Sequence, residues 1–281
     1  TTNTKLIKNY SKYFILLVTL FKLHLFIPKL NRYNFLSMKL LFTFLLYFCF
    51  NTQATFATID YSVETLMRSF PLGGYLKGKI GKSFPIWGKP TGKIPIYYGF
   101  IRPSIELKTS FFLNGVISKM DFYPISPLGF YAGVDRSYKN LKNLDTFNCD
   151  LVACKGEIKR DFWGYRFGLA YQKFFLTFDF RKNFTRTNSQ FSFYADELTS
   201  LLGQIGQEVV NTQIIIFGKS ISKNSKVGLL NVHNKTFNFK NTSSMSMLIG
   251  QFAKEKWNYI IGGGFFHTRD DQRVFSILFV L

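Results

Sequence analysis

His267 lies in the stretch FFHTRDDQ, with Thr268, Asp270 and Asp271 beside it. An imidazole close to carboxylates can act as a general base, and with a serine it would make a nucleophilic hydrolase. No serine stands at the nearby spacing such a centre needs, and His233 in NVHNK is the other histidine beyond residue 57. A histidine in a polar loop is more often solvated than catalytic, so His267 is a catalytic candidate without a partner. Asp270-Asp271 reads as a solvated turn tip rather than a cation site. Gly262-Gly263-Gly264 is followed by no helical segment whose N-terminus could hold a phosphate. It reads instead as a place where a bulky neighbour packs against the backbone or strand curvature is relieved. No metal or cofactor is expected from these patterns.

Charge and composition narrow the partners. The formal net charge is +20, from 36 Lys+Arg against 16 Asp+Glu. Seven positives (Lys5, Lys8, Lys12, Lys22, Lys29, Arg32 and Lys39) precede residue 57, where no acid occurs, and the rest of the chain stays basic. Such an excess suits nucleic acid, anionic lipid or an anionic solute. No helix-turn-helix, zinc-finger or RNA-recognition pattern favours nucleic acid, which is not an expected partner. Aromatics reach 19% with 34 Phe, more than a soluble domain of this size carries. Beyond residue 57 no apolar run is long enough to cross a bilayer as a helix.

The first fifth of the chain reads as targeting sequence. Met38-Lys39 opens a basic start, LLFTFLLYFCF over 40–50 is a short apolar middle, and Ala54-Thr55-Phe56-Ala57 offers small residues for cleavage. Residues 38–57 therefore read as a signal peptide cut after Ala57. Residues 1–37 read as an upstream extension outside the fold, with a transmembrane helix over Tyr13–Ile27 as the rival. Export would place Cys149 and Cys154, in NCDLVACKG, in an oxidising compartment. They are expected to form a disulfide, since zinc would need two further ligands.

Residues 58–281 alternate with period two. Ile59, Tyr61, Val63 and Met67 oppose Asp60, Ser62, Glu64 and Arg68; Trp163, Tyr165, Phe167, Leu169 and Tyr171 oppose Gly164, Arg166, Gly168 and Ala170. Large aromatics on one face, with small residues and both signs of charge on the other, point to an all-β, transmembrane, antiparallel up-and-down β-barrel. About twelve strands are expected, or ten if the weakly patterned segment 70–95 contributes none. Both termini should share one rim with the tight connections. The long loops 139–157 and 185–207 should lie at the other, the second holding a short helix over Asp196–Gln207. Asp60, Glu64, Arg68, Asp135, Arg166, Asp179 and Arg181 should form a lumen charge network, because buried charges must pair. Lys139, Lys142 and Lys155 read either as contacts for lipopolysaccharide phosphates or as ordinary solubilising charge.

The leader 38–57, the alternating segments and the final strand Arg273–Leu281 resemble bacterial outer-membrane barrel proteins as a class. That resemblance implies lipid and lipopolysaccharide as surroundings, and the outer-membrane assembly machinery as a partner reading the last strand. The class usually ends on an aromatic residue; here Leu281 follows Phe279-Val280. The function expected is a non-enzymatic barrel of the outer membrane, structural or a narrow pore favouring anions. The alternatives are a membrane-embedded hydrolase of envelope lipid or lipopolysaccharide at His267, and a secreted soluble β-sandwich.

Overall fold

The computed structural model describes residues 58–88, 98–110, 113–141, 147–196, 199–255 and 257–281. The leader and upstream extension read from sequence lie outside the described residues, as does Lys142. No helix occurs among the described residues, which form fourteen strands. Twelve close into one antiparallel barrel: β1 (Thr58–Arg68), β2 (Gly73–Trp87), β3 (Gly99–Thr109), β4 (Leu113–Ile125), β5 (Leu128–Asn140), β6 (Lys155–Tyr171), β7 (Phe174–Thr187), β10 (Glu208–Ser220), β11 (Ser225–Thr236), β12 (Thr242–Lys254), β13 (Trp257–His267) and β14 (Arg273–Val280). Each strand pairs with its sequence neighbours, and β1 closes the ring on β14 through Leu66–Val280, Met67–Phe279 and Arg68–Leu278. The remaining pair, β8 (Phe193–Asp196) and β9 (Leu201–Gln204), forms a separate hairpin.

A closed ring excludes the β-sandwich, and β2 rules out the ten-strand count. The closing seam is short: beside its three register pairs only Thr65 with Leu281 and Ser69 with Ile277 share backbone bonds among the described residues, so residues 59–64 are paired on the β2 side alone. The tight turns at 126–127, 172–173 and 221–224 share the rim of Thr58 and the C-terminus (the terminal rim). The connections 141–154 and 188–207 lie at the opposite, distal rim.

Alternation along the strands sorts side chains to two surfaces. The outer wall is a band of exposed apolar groups: Ile59 is 65%, Tyr61 85% and Leu248 65% exposed, and Trp163, Phe217, Ile261 and Phe275 continue it. The inner surface is divided. From β1 to β7 it carries acids and bases. From β10 to β14 it carries Leu230, Met245, Met247, Ile249, Phe266 and Leu278, packed with Ile214, Ile216 and Val232. The turn between β1 and β2 folds inward onto this apolar sector. Its Phe70 ring meets Phe266 edge-on at 5.9 Å, and Ser276 Oγ donates to the Phe70 carbonyl at 2.6 Å. The inner charge network expected from sequence thus occupies about half of the circumference, and an apolar sector not read from sequence fills the rest. Gly264 faces this sector, and a Cβ there would collide with the Ser246 carbonyl and the Met247 backbone. Only glycine allows β12 and β13 to approach so closely.

Candidate functional site

The inner charges form a connected ladder across β1–β7. Asp60 accepts from Arg102 Nε at 3.0 Å, and Arg102 reaches Asp121 at 3.8 Å. Lys119 lies 3.3 Å from Asp121 and 3.6 Å from Glu106, which also holds Lys79 at 3.5 Å. Glu64 pairs with Lys77 at 2.9 Å. Asp135 accepts from Lys108 at 2.7 Å and from Ser137, with Arg160 at 3.4 Å. Asp179 holds Arg166 at 2.6 Å and accepts from the Tyr131 hydroxyl at 2.6 Å. The sequence-derived acids Asp60, Glu64, Asp135 and Asp179 therefore all face inward. Most of their partners (Arg102, Lys77, Lys108, Arg160) stand on other strands, where only the register could reveal them.

Two of the expected cations behave differently. Arg68 lies 5.3 Å from the centre of the Phe266 ring and donates from Nε to the Pro71 carbonyl at 3.2 Å. Arg181 stacks over Phe162 at 3.7 Å, and among the described residues no carboxylate lies within 4 Å of it. It sits at the seam of the two inner sectors, directly opposed to Thr212 on β10.

The distal rim is covered by a lid with its own small core. Leu141, Phe147, Val152, Cys154 and Ala195 pack together, with Phe193 and Leu202 against them. The β8–β9 hairpin occupies the place where a helix over Asp196–Gln207 was expected. The Leu-rich segment instead follows a two-residue strand period, with Leu201 buried and Leu202 on the opposite face. Arg160 grips Asp196 at 3.2 Å, Asn241 Nδ2 donates to the Leu202 carbonyl at 3.0 Å, and Ser243 Oγ donates to the Thr199 carbonyl at 2.5 Å. Glu208, fully buried, accepts from the backbone N–H groups of Gln204, Val209, Phe237 and Asn238. Burial, then the nearby Asp196, pushes the Tyr194 phenol in β8 far above its ordinary pKa, so it stays neutral.

Cys149 and Cys154 are bonded, closing a loop of sequence separation 5 inside this lid. Replacing both with serine should loosen the lid by about 2 kcal/mol, the chain-entropy value for so short a loop. Limited proteolysis of the folded protein should then cut within 147–154 faster, with the barrel still intact. Unchanged cleavage would mean that packing alone holds the segment.

Lys139 is corrected. It is 1% exposed, turned inward under the lid, and its ammonium donates to the Ala195 carbonyl. Its position on β5 has inward parity, so it cannot reach an external phosphate. Lys155 is exposed at the distal rim. The outward cations that sequence reasoning missed are Arg136, Lys159 and Arg186, which stand abreast on β5, β6 and β7. Asp161 bridges the outer two, at 2.9 Å from Arg136.

On the far side of the outer wall, Ser244 on β12 is directly opposed to His233 on β11 and to His267 on β13. Gln213 on β10 is opposed to His233, completing an outward-facing row of amide, imidazole, hydroxyl and imidazole. Next to it, Asn231 Nδ2 donates to Ser246 Oγ at 2.8 Å. The serine that His267 lacked in sequence is thus brought in by the hairpin register.

Fold and site together define a closed, lidded twelve-strand β-barrel with a half-ionic interior and an apolar outer wall. No protein-family model, curated protein or solved structure matches the chain.

Proposed function

We propose that the protein is a bacterial outer-membrane β-barrel, spanning the bilayer as a structural barrel or narrow passage that favours anions. The carrying observation is the exposed apolar band encircling the outer wall, from Ile59 and Tyr61 through Trp163 to Phe275. A water-soluble protein does not expose so much contiguous apolar surface, whereas a bilayer covers it at no cost. The inner ion pairs neutralise one another and stiffen the wall. Arg181, with no carboxylate within 4 Å among the described residues, supports a positive sign for the remaining field. The lid covers the outward mouth, and twelve strands make a narrower bore than the large porins have. Arg136, Lys159 and Arg186, with Lys155, face lipopolysaccharide phosphates at the distal rim. In this reading residues 38–57 direct export, and Arg273–Leu281 is the strand presented to the assembly machinery.

Cell fractionation of the full-length protein tests the reading, with gels run before and after heating. Recovery in the outer membrane, a heat-dependent mobility shift and a mature N-terminus at Thr58 are the expected results. Recovery in the inner membrane with no shift would overturn it.

A further inference from the structure

The row on the outer wall of β10–β13 goes beyond a passive barrel. We propose that Ser244 and His233 form a catalytic pair that hydrolyses acyl esters of the surrounding lipid, with Gln213 as a positioning residue. The inference rests on the outer wall facing lipid.

Three features of position carry it. Directly opposed residues on neighbouring strands hold their Cβ atoms about 5 Å apart, so a rotamer change is enough to join Ser244 Oγ to the His233 ring. No hydrogen bond joins them in this structure, as is common before a substrate is bound. Gln213 stands on the other side of His233, where its side-chain carbonyl can accept the second ring N–H and fix the tautomer. The row also lies where the apolar band ends. Along β11 the outward residues change from Val227 and Leu229 to Asn231, His233 and Lys235; along β12 they change from Leu248 to Ser246, Ser244 and Thr242. In a bilayer this is the level of the ester groups, between acyl chains and charged headgroups.

The second observation is independent. The outer wall has a shallow, open hollow on β11, β12 and β13, lined by Val227, Leu248, Gly250, Ile261 and Gly263. The outward glycines Gly250 and Gly263 lower the wall there, with the rings of Phe252 and Phe275 at its margins. Leu248 is about 13 Å along β12 from Ser244, toward the middle of the apolar band. A fatty acyl chain lying in the hollow would bring its ester carbonyl up to Ser244. Asn231 supplies an amide donor in the same patch.

In the reaction, Ser244 Oγ attacks the ester carbonyl carbon and its proton passes to His233. The carbonyl–oxygen bond to the alcohol breaks, and the imidazolium returns that proton to the departing oxygen, leaving acyl-Ser244. Water, deprotonated by His233, attacks the acyl carbonyl; fatty acid leaves and Ser244 regains a proton.

The test uses the full chain folded in detergent micelles containing palmitoyl-oleoyl phosphatidylethanolamine. Fatty-acid release is followed, together with labelling by a fluorophosphonate that reacts with activated serines. Expected are labelling at Ser244 and turnover lost at least 100-fold in Ser244→Ala and His233→Ala. Gln213→Leu should lower kcat with KM unchanged, and Gln213→Glu should restore it. Each variant should keep its heat-dependent gel shift, which separates failed catalysis from failed folding. A heat-shifted wild-type barrel with neither labelling nor turnover would overturn the catalytic proposal alone. Turnover unchanged in Ser244→Ala, or lost in His267→Ala but kept in His233→Ala, would also overturn it. Absence of the heat shift in the wild type would sink the membrane reading beneath it.

Discussion

Replacing Asp135 with alanine is expected to destabilise the folded barrel by about 3–5 kcal/mol, the cost of breaking a buried ion pair by removing one partner. Asp135 is 2% exposed and faces Lys108 at 2.7 Å, Arg160 at 3.4 Å and the Ser137 hydroxyl. Both cations are nearly as buried as the acid. Removing the carboxylate leaves two positive charges facing each other with little water to screen them. Arg160 also grips Asp196 in the lid, so the loss reaches the distal rim. Denaturant unfolding in micelles, followed by tryptophan fluorescence, should show a lower midpoint with an unchanged slope. The double variant Asp135→Ala with Lys108→Met should recover part of the loss, because it removes one orphaned charge with its partner. A cost below about 1 kcal/mol would place the group in a screened, water-like setting, as in an open aqueous bore.

The barrel was legible from sequence because alternation marks nearly every strand. Ile59, Tyr61, Val63 and Met67 on one face of β1 and Trp163 to Tyr171 on β6 need no tertiary information to be placed outside. The short turns and long loops then distribute themselves between two rims. What period two cannot supply is the partner across the ladder. Asp60 could be placed inside, but its bond to Arg102 passes over β2 and depends on the shear of the ring. Ser244 and His233 are eleven residues apart and stand opposite each other only because the turn between β11 and β12 sets their register.

Two segments carry a local pattern that does not determine their place in the fold. In β11 and β12, the runs VGLLNV and SMLIGQF are apolar at both parities, so alternation alone does not reveal which face is inward. That pattern is what a strand covered on both sides requires. Here one cover is the protein's own interior, and the other is the medium around the barrel. Likewise DELTSLLGQIGQ has a composition suited to a helix, yet its backbone groups are better satisfied as β8–β9 beside Glu208 and Ala153. Tertiary partners outweigh a propensity difference of a few tenths of a kcal/mol per residue.

Phe266→Ala is expected to cost about 3–5 kcal/mol, as for a large aromatic removed from a packed core. Phe266 is 1% exposed and faces inward from β13, touching Phe70 of the inward-folded turn and lying beneath Arg68. Met245 on β12 is directly opposed to it, and Leu278 belongs to the same cluster. If the apolar sector fills the bore, truncation leaves a dry cavity: the unfolding midpoint falls and conductance in a planar bilayer stays at the wild-type level. In a wet passage the same change would remove an obstruction, with stability nearly unaltered and conductance increased. The first outcome assigns the barrel a structural interior, in which the ionic half and the apolar half are two sides of one core. The second assigns it a passage, in which Arg181 at the seam would be the cation a passing anion meets. The packing of Phe266 against a turn from the opposite end of the chain favours the first.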